Sequence, residues 1–408
     1  MEVKPGYKKT EVGVIPEDWG VSTVGCEFEV KLGKMLDAEK NVGVSKPYLG
    51  NKAVQWDRID ISDLPTVPMS RADIERFRLR RGDLLVCEGG EVGRAAIWDG
   101  PIEECYYQKA IHRLRPVGGF DSRVMAALLR LWSDRGQLVN YVTQTSIAHL
   151  PREKFMEVPM PVPPPMEQRA IAEALGDVDA LLGALEQLIA KKRDLKQAAM
   201  QQLLTGKKRL PGFSGEWEVK KLGDVAALNR LNVVPANFPN QMFTHFSLPA
   251  FDDGKLPVIE PGAGIGSNKF RVLQGAVLVS KLNPRIPRVW APDTIPPESI
   301  ASTEFLVLTP SEGMSRQFLF VLCSSALFCE QMELAATGTT GSHQRISPSV
   351  ALILKVSVPV EVEEQTAIAE VLSDMDAELA ALEQRLTKTR DLKQGMMQEL
   401  LTGRTRLV

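Results

Sequence analysis

The chain has 408 residues, room for two to four domains, and its 44% hydrophobic and 25% charged content is that of an ordinary globular protein. A net charge of −2 and a pI near 6.2 exclude wholesale wrapping of nucleic acid but leave room for a local basic face. No apolar run reaches membrane-span length, the start MEVKPGYKKT lacks an apolar signal core, and the five scattered cysteines and four unclustered histidines offer neither a disulfide framework nor zinc-ligand spacing. No membrane association is expected, and a reducing, cytoplasmic setting fits best.

The first globular segment opens with IPEDWGVSTVG (15–25). LRRGDLLVCEGGEVGRAAIW (79–98) then reads as a glycine, an apolar strand, a polar glycine-rich turn with an arginine, and a second apolar run. KAIHRLRP (109–116) is a further strand, SRVMAALLRLWSD (122–134) a helix, and TQTSIAHLP (143–151) a late loop. PMPVPPPMEQ cannot be helical, so the next helix starts near Pro165 or Met166.

From there Ile171, Leu175, Val178, Leu182, Leu185 and Ile189 alternate in four- and three-residue steps, an a/d seam sustained over three heptads. Leu181, Leu188 and Leu195 broaden the stripe, which makes more than one partner surface a plausible reading. Acids lie early (Glu167, Glu173, Asp177, Asp179) and bases late (Lys191, Lys192, Arg193, Lys196), in the order the helix dipole favours. Gly206, with Pro211 after it, sits where a left-handed cap would end the helix.

The second globular segment opens with FSGEWEVKKLGDV (213–225), a loose counterpart of the first opening that aligns Trp217 with Trp19 and Gly223 with Gly25. RVLQGAVLVSKLNPRIPRVW (271–290) resembles 79–98, TEFLVLTP (303–310) resembles 109–116, SRQFLFVLCSSAL (315–327) reads as a helix, and TGTTGSHQRISP (337–348) is a late loop. Between the matching strands the turns differ entirely. VSVPVEVEEQ then leads into a second long helix without the triple proline of the first, which implies a softer junction. Its seam is Ile368, Leu372, Met375, Leu379, Leu382 and Leu386, and Gly403 repeats Gly206.

The two helices are one segment written twice. RDLKQAAMQQLLTGKKRL (193–210) faces RDLKQGMMQELLTGRTRL (390–407), and EQRAIAEALGDVDALLGALEQ (167–187) faces EQTAIAEVLSDMDAELAALEQ (364–384), at a constant offset of 390 − 193 = 197. A helix of roughly 38 residues is about 57 Å long. The segment between the helices, with a diameter near ~40 Å, would have to bridge that distance if they ran parallel. An antiparallel pair brings the two ends together. The expected class is therefore α+β: two mixed α/β globular domains (1–163 and 207–361) joined by two long antiparallel coiled-coil spacer helices (164–206 and 362–408), a dumbbell with a pseudo-twofold axis.

Catalytic patterns are absent. GAGIGSNK (262–269) lacks the spacing of a phosphate loop, and EGGEVGR (88–94) follows a strand but has no acidic ribose partner. No HExxH, GxSxG or paired-acid constellation stands out, and LNPRIP (282–287) is not the aromatic-ended motif of amino-methyltransferases.

The arrangement resembles the specificity subunit of type I restriction–modification systems. The resemblance is carried by Glu216-Trp217 with Leu222-Gly223-Asp224, by the PxPxxEQxxIAxxL helix start and by the RDLKQxxMQxLLTGxxRL helix end, roughly a quarter of the chain. It implies that each globular domain reads one half of a bipartite, asymmetric site on double-stranded DNA. It further implies that the helices set the gap and dock two methyltransferase (modification) subunits, through which two restriction (translocase and nuclease) subunits join. S-adenosylmethionine, ATP and Mg2+ would belong to those partners, and this chain would carry no catalysis, cofactor or metal of its own.

Sequence is read in the major groove, where Arg suits guanine, Gln and Asn suit adenine, and Lys more often meets phosphate. Candidates in the first domain are Arg94, Gln108, Lys109 and His112, with Gln144, Thr145, Ser146 and His149 in the late loop. In the second they are Lys281, Asn283, Arg285 and Arg288, with Thr340, Ser342, His343, Gln344 and Arg345. Two rival readings remain at this point: a non-catalytic scaffold whose ends bind proteins, or a stand-alone nuclease or methyltransferase with an unrecognised site. Within the favoured reading, an orphan specificity subunit without partners is a further alternative.

Overall fold

The computed structural model describes residues 4–407 except 38, 40, 145–147 and 339–343. The chain divides into two compact units, 1–186 with 385–408, and 187–384. The boundaries cut through the middle of both long helices, unlike the linear division into domain, spacer, domain, spacer. The cause is helix pairing: each globular segment packs with the near halves of both helices.

In the first unit a four-stranded antiparallel sheet is built from β1 (Phe28–Leu32), β2 (Leu84–Cys87), β3 (Ala95–Ile97) and β4 (Ile111–Pro116), in spatial order β3-β2-β4-β1. β2 is buried at each of its positions, as a short continuous apolar run should be. Leu84 and Val86 face helix α1 (Ser122–Asp134) and pack with Val124, Leu128 and Trp132, while Leu85 and Cys87 face a small three-stranded sheet and pack with Leu49, Met69 and Tyr106. Strand Gly20–Thr23 pairs antiparallel with Pro159–Val162, which closes the segment at its base just before helix α2 (Pro165–Leu203).

The second unit repeats the frame with different filling. β5 (Ala226–Asn229), β6 (Val277–Ser280), β7 (Val289–Trp290) and β8 (Phe305–Pro310) form a sheet of order β7-β6-β8-β5, backed by α3 (Arg316–Cys323). Val277 and Val279 face the core shared with α3, and Leu278 faces Phe246 and Trp290. Strand Trp217–Lys221 pairs with Lys355–Pro359 before helix α4 (Val362–Leu400). The frames diverge in the second sheet, which has three strands in the first unit and five in the second.

Helices α2 and α4 are 39 residues each. Along the seam Ile171, Leu175, Leu185 and Ile189, and Ile368, Leu372 and Leu379, are buried; Val178, Leu182, Met375, Leu382 and Leu386 are half-buried; Leu181, Leu188 and Leu195 are exposed. Within each unit the two helices run antiparallel. In the first unit Lys393 pairs with Asp179 at 2.6 Å and Arg390 with Glu186 at 2.6 Å. In the second Lys196 pairs with Asp376 and Arg193 with Glu383 at 2.5 Å. These are the same two pairings, moved along the chain by the repeat offset. Gly206 and Gly403 take the left-handed cap conformation at φ 68° and 67°.

Among the described residues no helix is long and apolar enough to cross a membrane, and no cluster of three His, Cys, Asp or Glu side chains could hold a metal ion.

Candidate nucleic-acid interface

In both units the strands β2 and β6 run out into a polar corner built by the same backbone bonds. Glu88, the residue after β2, donates its N–H to Ala110 O (3.0 Å) and accepts at its carbonyl from Leu150 N (2.7 Å). Lys281, the residue after β6, donates to Glu304 O (2.8 Å) and accepts from Ile346 N (3.2 Å). The next residue forms an antiparallel bridge to the late loop, Gly89 with His149 and Leu282 with Arg345. The one after that has positive φ, Gly90 at 79° and Asn283 at 50°, a conformation open to glycine and tolerated by asparagine. Three chain segments therefore converge in each corner, and the side chains they present are unrelated.

The corners order the candidate residues. In the first, Gln108 is half-buried and Lys109 exposed, on the turn leading into β4, and His149 is exposed with its ring against Gly89. In the second, Asn283 accepts from Arg285 Nε (3.1 Å), its backbone N–H donates to Gln344 O (2.8 Å), and Arg345 Nε donates to Glu304 (3.1 Å). Lys281, Asn283, Arg285, Gln344 and Arg345 thus gather at one place. Thr145, Ser146, Thr340, Ser342 and His343 lie outside the described residues, as does the side chain of Gln144.

Three candidates have other work. His112 is not a loop residue: it sits on β4, fully buried, with Nε2 on Leu150 O (2.9 Å) and its ring against Phe155. Burial lowers its pKa to about 4, so it is neutral at ordinary pH. Arg94 donates to Asn51 O (3.0 Å) and toward Glu91, bracing the turn between β2 and β3. Arg288 is held by both oxygens of Asp252 (2.7 and 2.9 Å).

The sequence reading passed over the acids of these corners and Asn51. Asn51 Nδ2 donates to Gly89 O (3.0 Å), fixing the backbone beside Gly90. Burial raises the pKa of Glu88, opposed by the charges of His149 and Lys109. Burial lowers that of Lys281, opposed by Glu304. The signals that could have found these residues are contacts across 20 to 60 positions, which no local pattern carries.

At the base of each globular segment a clamp ties it to the long helices and accounts for the EQ motif. Glu167 is buried; it accepts from Trp19 Nε1 (2.8 Å) and from Arg406 (2.6 and 2.8 Å). Its neighbour Gln168 accepts from Asp121 N (2.9 Å) at the start of α1 and donates to Pro163 O (2.8 Å). In the second unit buried Glu364 accepts from Arg209 (2.5 and 2.6 Å). Gln365 accepts from Ser315 N (2.7 Å) at the start of α3 and donates to Gly313 O and Pro359 O (2.9 Å each). The junction without the triple proline is thus held by one more glutamine bond than the junction with it. The two clamps also differ at the tryptophan: the Trp217 indole N–H, buried beside Arg209, has no acceptor among the described residues.

The family model described as the type I restriction modification DNA specificity domain matches residues 16–193 and again 214–389. Among curated relatives in Methanocaldococcus jannaschii, the type I restriction enzyme MjaX specificity subunit, whose name marks it as provisional, is 26% identical over 53% of this chain and 55% of its own length. The MjaVIII specificity subunit is 25% identical over 64% of this chain and 66% of its own length. The chain therefore spans between about half and two thirds of these relatives. The fold is that of the S subunit of a type I restriction–modification system from M. genitalium (TM-score 0.59, 14% identity, 98% of each chain covered). It is shared by a chain from a study of type I assembly and conformational transition (TM-score 0.58, 18% identity, 95% and 99% covered).

Proposed function

This chain belongs to the type I restriction modification DNA specificity domain family, and from that premise we propose that it is the DNA-reading subunit of a type I restriction–modification complex. The observation that carries the reading is the pair of corners after β2 and β6, held by matching backbone bonds and furnished with unrelated side chains. Two readers of different half-sites need that combination: one scaffold to present the corner, and separate side chains to meet separate bases.

In this reading each corner enters the major groove of double-stranded DNA, and the arginines and lysines around it hold phosphate and fix register. The two half-sites make up one bipartite, asymmetric site, with the helices setting the gap. Exposed faces of α2 and α4 receive two methyltransferase subunits, through which two restriction subunits join. S-adenosylmethionine, ATP and Mg2+ work in those partners. The adenine to be methylated leaves the base stack to reach a partner's active site, so this chain positions the reaction and performs no chemistry itself. The setting is the cytoplasm, where the DNA is.

The test is to co-express the chain with its methyltransferase subunit in a host free of DNA methylation and to map N6-methyladenine at base resolution. A single bipartite motif present only with this chain supports the reading. Absence of any chain-dependent motif, with the two proteins soluble and bound to each other, sinks it and favours a scaffold or an orphan subunit.

A further inference from the structure

The corners share their backbone but differ in sign at one position. Glu88 and Lys281 occupy the same place by four criteria: the residue after the central strand, the N–H donated to the turn before the neighbouring strand, the carbonyl bonded to the late loop, and the left-handed residue two positions on. Both side chains are half-buried, and among the described residues neither has a hydrogen bond or a contact ion pair. Elsewhere in the same corners the arginines are partnered: Arg94 by Asn51 and Glu91, Arg345 by Glu304, Arg288 by Asp252.

A half-buried carboxylate without a donor, facing a polyanion, is repelled by phosphate and cannot be a backbone contact. The groove donors open to it are exocyclic amino groups, and the geometry that suits a carboxylate is the 4-amino group of cytosine. An ammonium at the same place meets the O6 and N7 acceptors of guanine. Resting on the DNA-reading function above, we propose that this position is the base reader of opposite polarity in the two domains: Glu88 accepts from cytosine in the first half-site, and Lys281 donates to guanine in the second. A hydrogen-bond acceptor and a donor at one scaffold position would let one frame specify opposite base-pair orientations.

The experiment uses the full chain with its methyltransferase subunit on a plasmid library randomised across both half-sites, read by sequencing N6-methyladenine. Glu88→Gln is expected to lower the preference for one C·G pair in the first half-site by about tenfold or more, and to leave the second half-site as it was. Lys281→Met should do the reverse, relaxing one G·C pair in the second half-site only. The untouched half-site reports that each variant folds and assembles. The inference is overturned if Glu88→Gln leaves every preference unchanged, which would make Glu88 a mere counter-charge to His149 and Lys109. It is equally overturned if Lys281→Met weakens all sequences uniformly, the behaviour of a phosphate contact. A wild-type chain that yields no bipartite motif would instead remove the DNA reading itself, before either variant is compared.

Discussion

His112 shows how far a residue's role departs from its type. It stands in KAIHRLRP, a basic stretch that invites a DNA contact, yet it is sealed between β4, Leu150 O and Phe155. Its pKa is about 4 in the folded chain against 6.5 in the open one, so the unfolded state binds the extra proton between those values. The sign follows: the stability tied to neutral His112 is whole above pH 6.5 and is lost as pH falls toward 4. Relative to His112→Gln, the native chain should lose about 3 kcal/mol more over that window, read from urea unfolding at stepped pH. Arg94 and Arg288 teach the same lesson from the opposite side. An arginine in a polar turn is legible as a DNA candidate, but the partners that occupy it, Asn51 and Asp252, lie 43 and 36 positions away. What was legible at this scale was the address of the corners. Which side chains remain free within them depends on contacts at long range.

Among the elements, the two long helices were readable almost to their ends. The four-three spacing of buried residues, the proline boundary at Pro165 and the cap glycines at 206 and 403 are local signals, and local signals survive folding. The strands after Gly82 and Gly275 were readable for the same reason, as short apolar runs behind a turn residue. The small second sheets were not, because strands such as Tyr106–Tyr107 and Val233 with its neighbour are too short to show a period. Nor was the purpose of the EQ motif, whose partners Arg406 and Arg209 arrive from the far end of a helix. The clamp supplies a sharp comparison. Arg406→Ala strips a buried carboxylate of its cation and should cost about 3–5 kcal/mol, whereas Arg390→Ala, which breaks a surface pair between α4 and Glu186 of α2, should cost less than about 1 kcal/mol. Equal costs in chemical denaturation would show that burial does not govern these pairs.

For the whole molecule, the antiparallel expectation rested on loop closure, and it holds within each unit. The division into units follows from that same pairing, since it places residues 385–408 with the first globular segment and 187–206 with the second. That division also says where a ruler could be lengthened. A heptad added to α2 alone would face no counterpart. One heptad added to each helix, at 186/187 and at 384/385, leaves the ion pairs and clamps of both units intact. The expected outcome in the methylation map is a longer spacer between two unchanged half-site sequences; an unchanged spacer would deny the helices that role.

The clamp between Arg406 and Glu167 also bears on how the protein is made. The second unit is one continuous stretch, 187–384, and all of its residues have left the ribosome before the first unit has received the last of its own. Translation ordinarily lets the amino-terminal part mature first. Here the order is inverted: the segment synthesised first waits, with Glu167 and Trp19 lacking their cation, until the carboxy-terminal arginine emerges. A message cut short would therefore yield a chain whose later domain is sound and whose earlier one is not.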